Sequence, residues 1–412
     1  MDRNNKLFIA ASLANGASFS MILPLLAPLV RELHLTEIQG GAMVSVGALL
    51  MAIAAIYISK NQSKFSIYQL LSIGFVGMAF TWGIFTGVLM YGLSSHVGML
   101  LLFSLLMLSR AATGIFMAMP QIALQSYVMT TFNQEQQRSQ AMSKFGALNS
   151  AGVIIGPFLT TLLLGFGGMM TPLWGAIIIL SIISAVLVIY FDRMPLNQST
   201  SRIQQAQSEA PSSQFSLKHC YSWLMLGFSL YLAIVTVNLT AGFYIQDRFE
   251  MSTGQGAVHF AECSLIVGIA LVIMQTLISK YLNWSVYRLL WVGLVSMAVA
   301  LFISVMTSEL RIFQLTYLLY GISVACLIPA FTTGAAQTAP SHLQTKVASW
   351  CTATQALSFV VGPLISTGLY QWQREYPYYF LLTLMLLLMS FFVLQTLKMR
   401  QINKTSSYDV TE

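Results

Sequence analysis

One arginine stands in the middle of MLLLFSLLMLSRAATGIFMAMP, residues 99–120, a run that carries no other charge. A guanidinium at the centre of an apolar helix costs about 2.5 to 3.5 kcal/mol on an insertion scale, so Arg110 must face an internal crevice or polar partners. The long apolar flanks on both sides work against an escape of its tip to an interface. A second pair has proton chemistry. Glu262 is the only carboxylate well inside an apolar run, and His259 lies one helical turn before it on the same face. A shielded pair of this kind could exchange a proton. Equally, it could be a wetted pair near a mouth, because Glu262 lies only about 8 Å into its run at 1.5 Å per residue. Asn15, Ser18, Asn149, Asn238, Tyr244 and Gln355 add hydrogen-bonding groups to apolar segments. Such groups line ligand pockets, and singly they serve as well to join helices.

Two echoing segments supply bending points. GVIIGPF at 152–158 holds Gly152, Gly156 and Pro157, and FVVGPLI at 359–365 holds Gly362 and Pro363. Proline removes an amide donor and kinks a helix, while glycines four apart give a flat strip for close helix packing. Either a structural kink or a hinge satisfies these residues. Enzymatic clusters are missing: His34, His96, His219 and His342 fall in loops or at helix ends, with no HExxH and no paired carboxylates. Cys220, Cys263, Cys326 and Cys351 are scattered without metal-ligand spacing, so we expect four buried thiols and no metal or cofactor.

The elements that must position these groups are membrane spans. Of 412 residues, 56% are hydrophobic and only 8% are charged, with a mean hydropathy of +0.72, far from the soluble range. About 20 apolar residues cross the hydrocarbon core as a helix. Twelve such stretches are read at 7–30, 38–59, 67–92, 98–122, 146–166, 172–191, 220–245, 257–279, 286–307, 311–334, 349–370 and 377–397. The first is too long for a signal-peptide core and is read as a retained span. Assigning loops alternately to two sides places Arg3, Lys6, Lys60, Lys64, Arg138, Lys144, Arg193, Arg202, Lys218, Lys280, Arg288, Lys346, Lys398, Arg400 and Lys404 together. Arg31, Arg248, Arg311 and Arg374 fall on the other side. The positive-inside rule then puts both termini in the cytoplasm, and the net charge of +7 reports topology rather than nucleic-acid binding.

The polar stretch at 192–219, rich in Ser and Gln, reads as a linker. It divides a bundle at 1–191 from a bundle at 220–398, with a tail at 399–412. The halves repeat each other. ISKNQSKFSIYQLLSIGFVGMA at 58–79 matches ISKYLNWSVYRLLWVGLVSMA at 278–298, and SKFGALNSAGVIIGPFLTT at 143–161 matches SWCTATQALSFVVGPLIST at 349–367. LTEIQGG at 35–41 matches MSTGQGA at 251–257, each predicting a capping box. Asn149 meets Gln355 in this register, Gly114 meets Gly321, and Arg110 meets Tyr317, so charge was placed in one half only. Six crossings per half make the repeats parallel, an architecture of secondary transporters with the binding site between the halves.

These segments resemble the major facilitator superfamily over nearly the full chain. LSRAATG looks like its fourth-span motif, an arginine followed four residues later by glycine, and GVIIGP looks like the fifth-span motif of its drug:proton antiporters. The resemblance implies an all-α fold of twelve helices in two parallel-repeat six-helix bundles, alternating access, and a coupling role for Arg110. It implies a monomer in the inner membrane, working on protons and a small organic substrate without a cofactor. Two departures stand out: the loop after the second span reads YISKNQSKFS, with Lys60 where an acidic residue is usual, and Thr160 and Thr161 follow GVIIGPFL where a glycine pair is usual. With no acid beside Arg110, the charge balance favours an acidic substrate. Export is the expected direction, with proton-coupled import on the same fold as the alternative.

Overall fold

The computed structural model describes residues 3–61, 65–94, 98–131, 148, 151–152, 155–160, 162–191, 220–282, 284–338 and 344–408. The predicted linker at 192–219 and Asn149 therefore lie outside the described residues. Helices follow one another as α1 (Arg3–Ser20), α2 (Leu23–Glu32), α3 (Glu37–Lys60), α4 (Ile67–Ser94) and α5 (Met99–Thr131). Next come α6 (Ile155–Gly167), α7 (Thr171–Tyr190), α8 (Tyr221–Arg248), α9 (Thr253–Lys280), α10 (Val286–Met306), α11 (Leu310–Gln337), α12 (Gln344–Trp372) and α13 (Tyr376–Tyr408). Among the described residues, nine helices are long and apolar enough to cross a membrane. The predicted first span is not one helix. It breaks at Met21 and Ile22, immediately before Pro24, which sits in the first turn of α2 where its missing amide costs no helical bond. Several helices outrun their apolar stretches, and α13 continues to Tyr408.

The chain ends its helices with the same devices in both halves. Between α2 and α3, His34 adopts a left-handed φ of 54° and Leu35 N donates to Val30 O at 2.9 Å. Between α8 and α9, Glu250 has a φ of 52° and Met251 N donates to Gln246 O at 3.1 Å. This is a C-terminal cap closed by a residue in the left-handed region. Both turns then enter the next helix through the expected capping boxes, Thr36 with Gln39 and Ser252 with Gln255. Four main-chain amides at each helix start need partners, and these side chains supply some of them.

Packing repeats in the same way. α5 lies on α3 and α4, and α11 lies on α9 and α10; α4 packs on α7 as α10 packs on α13. Close approach is set by glycine. Gly114 of α5 rests on the main chain of Gly47, and its counterpart Gly321 of α11 rests on Val267 O and Ala270 of α9. Gly74 and Gly293 likewise receive Pro120 and Leu327. Outward faces carry Phe80, Leu100, Ile182, Ile189, Leu315 and Leu394, an apolar coat that suits lipid. Contacts between the halves join α2 to α8 and α9, and α3 to α12. We call the end bearing the α2–α3, α8–α9 and α12–α13 turns distal, and the opposite end proximal.

Candidate functional site

A cavity of about 230 Å³ opens between α8, α11 and α12, with Tyr231, Phe331, Thr332, Cys351 and Gln355 among its lining. Tyr231 meets Phe331 edge-on at 6.3 Å between ring centroids and Phe359 at 6.2 Å, an aromatic platform on one wall. Tyr231 stands ten residues beyond the start of α8, about 15 Å of helix rise. Among the described residues, no charged side chain lines the cavity. Gln355 makes no hydrogen bond among the described residues, so its amide faces the space with donors and acceptor uncommitted. An apolar wall with a few free polar groups is the usual chemistry of a small-molecule site.

Of the other described residues expected to bind substrate, none lines this cavity. Asn238 donates to Ile234 O of its own helix at 2.7 Å, and Ser18 donates to Asn15 O at 3.1 Å within α1. Tyr244 is buried in the second half, stacked on Phe313 and donating to Ser304 O at 3.2 Å. Sequence reasoning missed Tyr231, Phe331 and Cys351, because an aromatic or a thiol in an apolar run reads as packing. The repeat position of Gln355 was the one signal for this wall.

Arg110 is held inside the first half. Its guanidinium carbon lies 5.2 Å from the Trp82 ring centroid and 5.3 Å from that of Phe85. Both rings belong to α4 and are buried. Cation–π contact is worth about 2 kcal/mol or more when desolvated, a magnitude close to the insertion cost of the charge. That is why the segment accepts an arginine with no carboxylate beside it. The offset is incomplete: Arg110 Nε and Nη1, Trp82 Nε1, Thr86 Oγ1 and Ser45 Oγ are all buried without a hydrogen-bond partner. At the matching position of the second half, the Tyr317 hydroxyl is also buried and unpartnered.

Glu262 and His259 form the expected pair, with His259 Nδ1 2.9 Å from Glu262 Oε2. Gln314 of α11 donates to the same oxygen at 2.7 Å and accepts from Arg311 at 3.3 Å. The side chains of His259 and Glu262 remain partly exposed. Of the bending residues, Gly152 and Gly156 lie against the main chain of α1 at Leu13–Ala17 and at Ala17 and Met21. Thr160 donates to Met21 O at 2.8 Å in the same seam. Pro157 is buried beside them. The echo holds in the second half, where Gly362 meets Leu232 and Val235 of α8. Helix α12 runs on through Pro363, whose carbonyl accepts from Thr367 Oγ1 at 2.7 Å. All four cysteines are buried free thiols.

Among the described residues, the densest polar contacts lie at the distal end. Asp247 of α8 is bound from the other half: both of its oxygens accept from Arg31 of α2, Arg31 Nη2 reaching Oδ2 at 2.6 Å. Tyr370 of α12 donates to Oδ2 at 2.6 Å, and Arg374 donates to Asp247 O at 2.7 Å. Arg248 turns to the end of α10, reaching Thr307 O at 3.3 Å, with Glu375 at 3.6 Å. Burial opposes the charge on Arg31, but the hydrogen bonds and charge of Asp247 outweigh it and hold the guanidinium above its ordinary value. Arg374 is raised by its hydrogen bond to Glu375.

Comparison with known proteins places this geometry. A family model described as Major Facilitator Superfamily matches residues 8–363. Multidrug resistance protein 2 of Bacillus subtilis (strain 168) is 24% identical over 371 residues, 87% of each chain. A POT family transporter in complex with a thioalcohol-conjugated peptide has the same fold, with a TM-score of 0.71 at 11% identity over 95% of this chain and 96% of that one. A D-xylose-proton symporter gives 0.70 at 15% identity over 93% and 94%. An inward-facing, unoccupied bacterial homologue of the human lysosomal transporter Spinster gives 0.68 at 13% identity over 90% and 83%.

Proposed function

The chain belongs to the Major Facilitator Superfamily and is a multi-pass membrane transporter rather than an enzyme, and from that premise we propose that it exports an amphipathic organic compound in exchange for protons. One observation carries this reading: the halves are joined at the distal end while an uncharged, aromatic-walled cavity lies toward the proximal end. Distal contact between the halves is one requirement of a carrier open to the proximal side, the state that alternating access needs for one of its two loading steps. With the charge pattern putting the proximal face in the cytoplasm of an inner-membrane protein, the cavity loads from inside the cell. The relative whose name records multidrug resistance supports the outward direction, as does the GVIIGP segment. With no cation on the cavity wall among the described residues and Arg110 stacked on Trp82 and Phe85, we favour an uncharged or amphipathic drug-like molecule over a siderophore or acidic metabolite. Glu262, paired with His259 and Gln314, is the proposed proton site, and Arg110 the residue that couples it to the first half.

The test compares cells lacking the protein with cells overproducing it, reading intracellular levels of amphipathic compounds. Higher accumulation in the deletion strain, erased when the proton gradient is collapsed, is the expected result. Lower accumulation in the deletion strain would establish import and overturn the direction. Glu262→Gln is expected to abolish the dependence on the gradient.

A further inference from the structure

We propose that Arg110, Trp82 and Thr86 form a binding site for a small monovalent anion of the chloride type, inside the first half and apart from the cavity of the second. Neither the direction of transport nor the compound carried bears on it. Four polar atoms of α4 and α5 are enclosed there without a partner among the described residues: Arg110 Nε and Nη1, Trp82 Nε1 and Thr86 Oγ1. Guanidinium and indole nitrogens only donate, and a hydroxyl donates as readily as it accepts. Each donor left unmade in a buried place carries its full desolvation penalty.

The three side chains are brought together by helix packing. α4 lies against α5, and the Arg110 guanidinium rests on the Trp82 ring. Trp82 and Thr86 stand one turn apart on the same side of α4, with only 2% and 0% of their surface exposed. Thr81 turns its hydroxyl back to Gly77 O at 2.8 Å, and Thr113 of α5 does the same to Ser109 O. Thr86 makes no such bond, and its hydroxyl stays uncommitted.

Charge selects an anion over water. Glu32 and Glu37 are the acids among the described residues of the first half, and both are engaged at the distal rim, by Thr253 and Arg31. The chain therefore brings no counter-charge to Arg110. A water molecule on these donors would add two protons that need acceptors of their own, and Thr86 Oγ1 alone is there to accept. A halide takes several donors, returns no proton and neutralises the guanidinium. The rings leave room for both signs. Trp82 and Phe85 meet with their planes at 90°; ring faces are negative and edges positive, so the faces suit the cation and the edge bearing the Trp82 N–H suits the anion.

Depth identifies the ligand as a solute. The donors lie about 12 to 18 Å along α4 and α5 from their distal ends, near the middle of a hydrocarbon layer about 30 Å thick and beyond the reach of a lipid headgroup. Arg110 as a residue is half-buried, which leaves an approach for a small ion, while the enclosed donors exclude a bulky organic acid. The matching position of the second half holds the neutral Tyr317, so one half alone calls for the ion.

The test measures equilibrium binding of radiolabelled chloride to the purified full-length protein in nanodiscs, with sodium gluconate keeping the ionic strength constant. Saturable binding of one ion per chain is expected, displaced by unlabelled chloride or bromide and not by gluconate. Arg110→Met is expected to abolish it. Trp82→Phe, which keeps a ring beneath the guanidinium, and Thr86→Val, which keeps the side-chain shape, each remove one donor and are expected to weaken binding about tenfold. These two variants decide the matter even where Arg110→Met fails to fold. No saturable binding in the parent, or an affinity that none of the substitutions moves, would overturn the site and leave the transporter reading untouched.

Discussion

At the scale of the residue, Arg110 shows how a charge is kept inside an apolar bundle without a counter-charge. Two aromatic faces carry the positive guanidinium, while two of its nitrogens stay without acceptors. A group retained for stability would not be left so poorly satisfied, because an apolar side chain of similar volume in such a place is often neutral or stabilising. Arg110→Met is therefore expected to leave the thermal midpoint of the purified protein unchanged or slightly raised while lowering gradient-driven transport at least tenfold, on the order of 1.4 kcal/mol. A fall in the midpoint with transport retained would make Arg110 a structural hub. The sequence marked this residue through its cost in lipid. It could not reveal that Trp82 and Phe85 are the partners, since nothing in the spacing of α4 distinguishes them from packing aromatics.

At the scale of the element, main-chain contact between helices is the main constraint. A Cβ on Gly114 would strike the carbonyl of Gly47, which the α3 helix cannot move. Gly114→Ala is expected to cost about 1 to 3 kcal/mol, read as a lower midpoint in thermal or denaturant melts. Gly83 of α4 faces open space, and Gly83→Ala is expected to be neutral or to stabilise by about 0.5 to 1 kcal/mol through helix propensity. Equal losses at both positions would refute the packing argument. The capping boxes at Thr36 and Ser252 were legible because a box is a local event, four residues long. The break between α1 and α2 was not: an apolar run gives no sign of where a helix yields, and Pro24 is tolerated at a helix start as readily as it ends one.

At the scale of the whole molecule, an even number of crossings would put both termini on one face. Tags placed at residue 3 and after residue 404 are expected to be cut together by protease in inside-out vesicles and together protected in right-side-out ones; cleavage of only one would break the twelve-span reading. Span positions, charge asymmetry and repeat follow from the sequence because each is a property of segments. A bilayer solvates a 20-residue helix by its own composition, whatever its neighbours. The duplicated contacts of Gly114 and Gly321, and of His34 and Glu250, are the three-dimensional form of similarities already visible in one dimension. Pairing between distant helices was decided only by tertiary structure. Nothing in the spacing of the sequence ties Asp247 to Arg31, and the two are paired across 216 positions. Tyr231 and Phe331 looked like core, and they wall a cavity. Hydropathy states that a side chain leaves water; which surface receives it depends on how the two halves lean together, and that angle is a sum over many weak contacts that no single segment encodes.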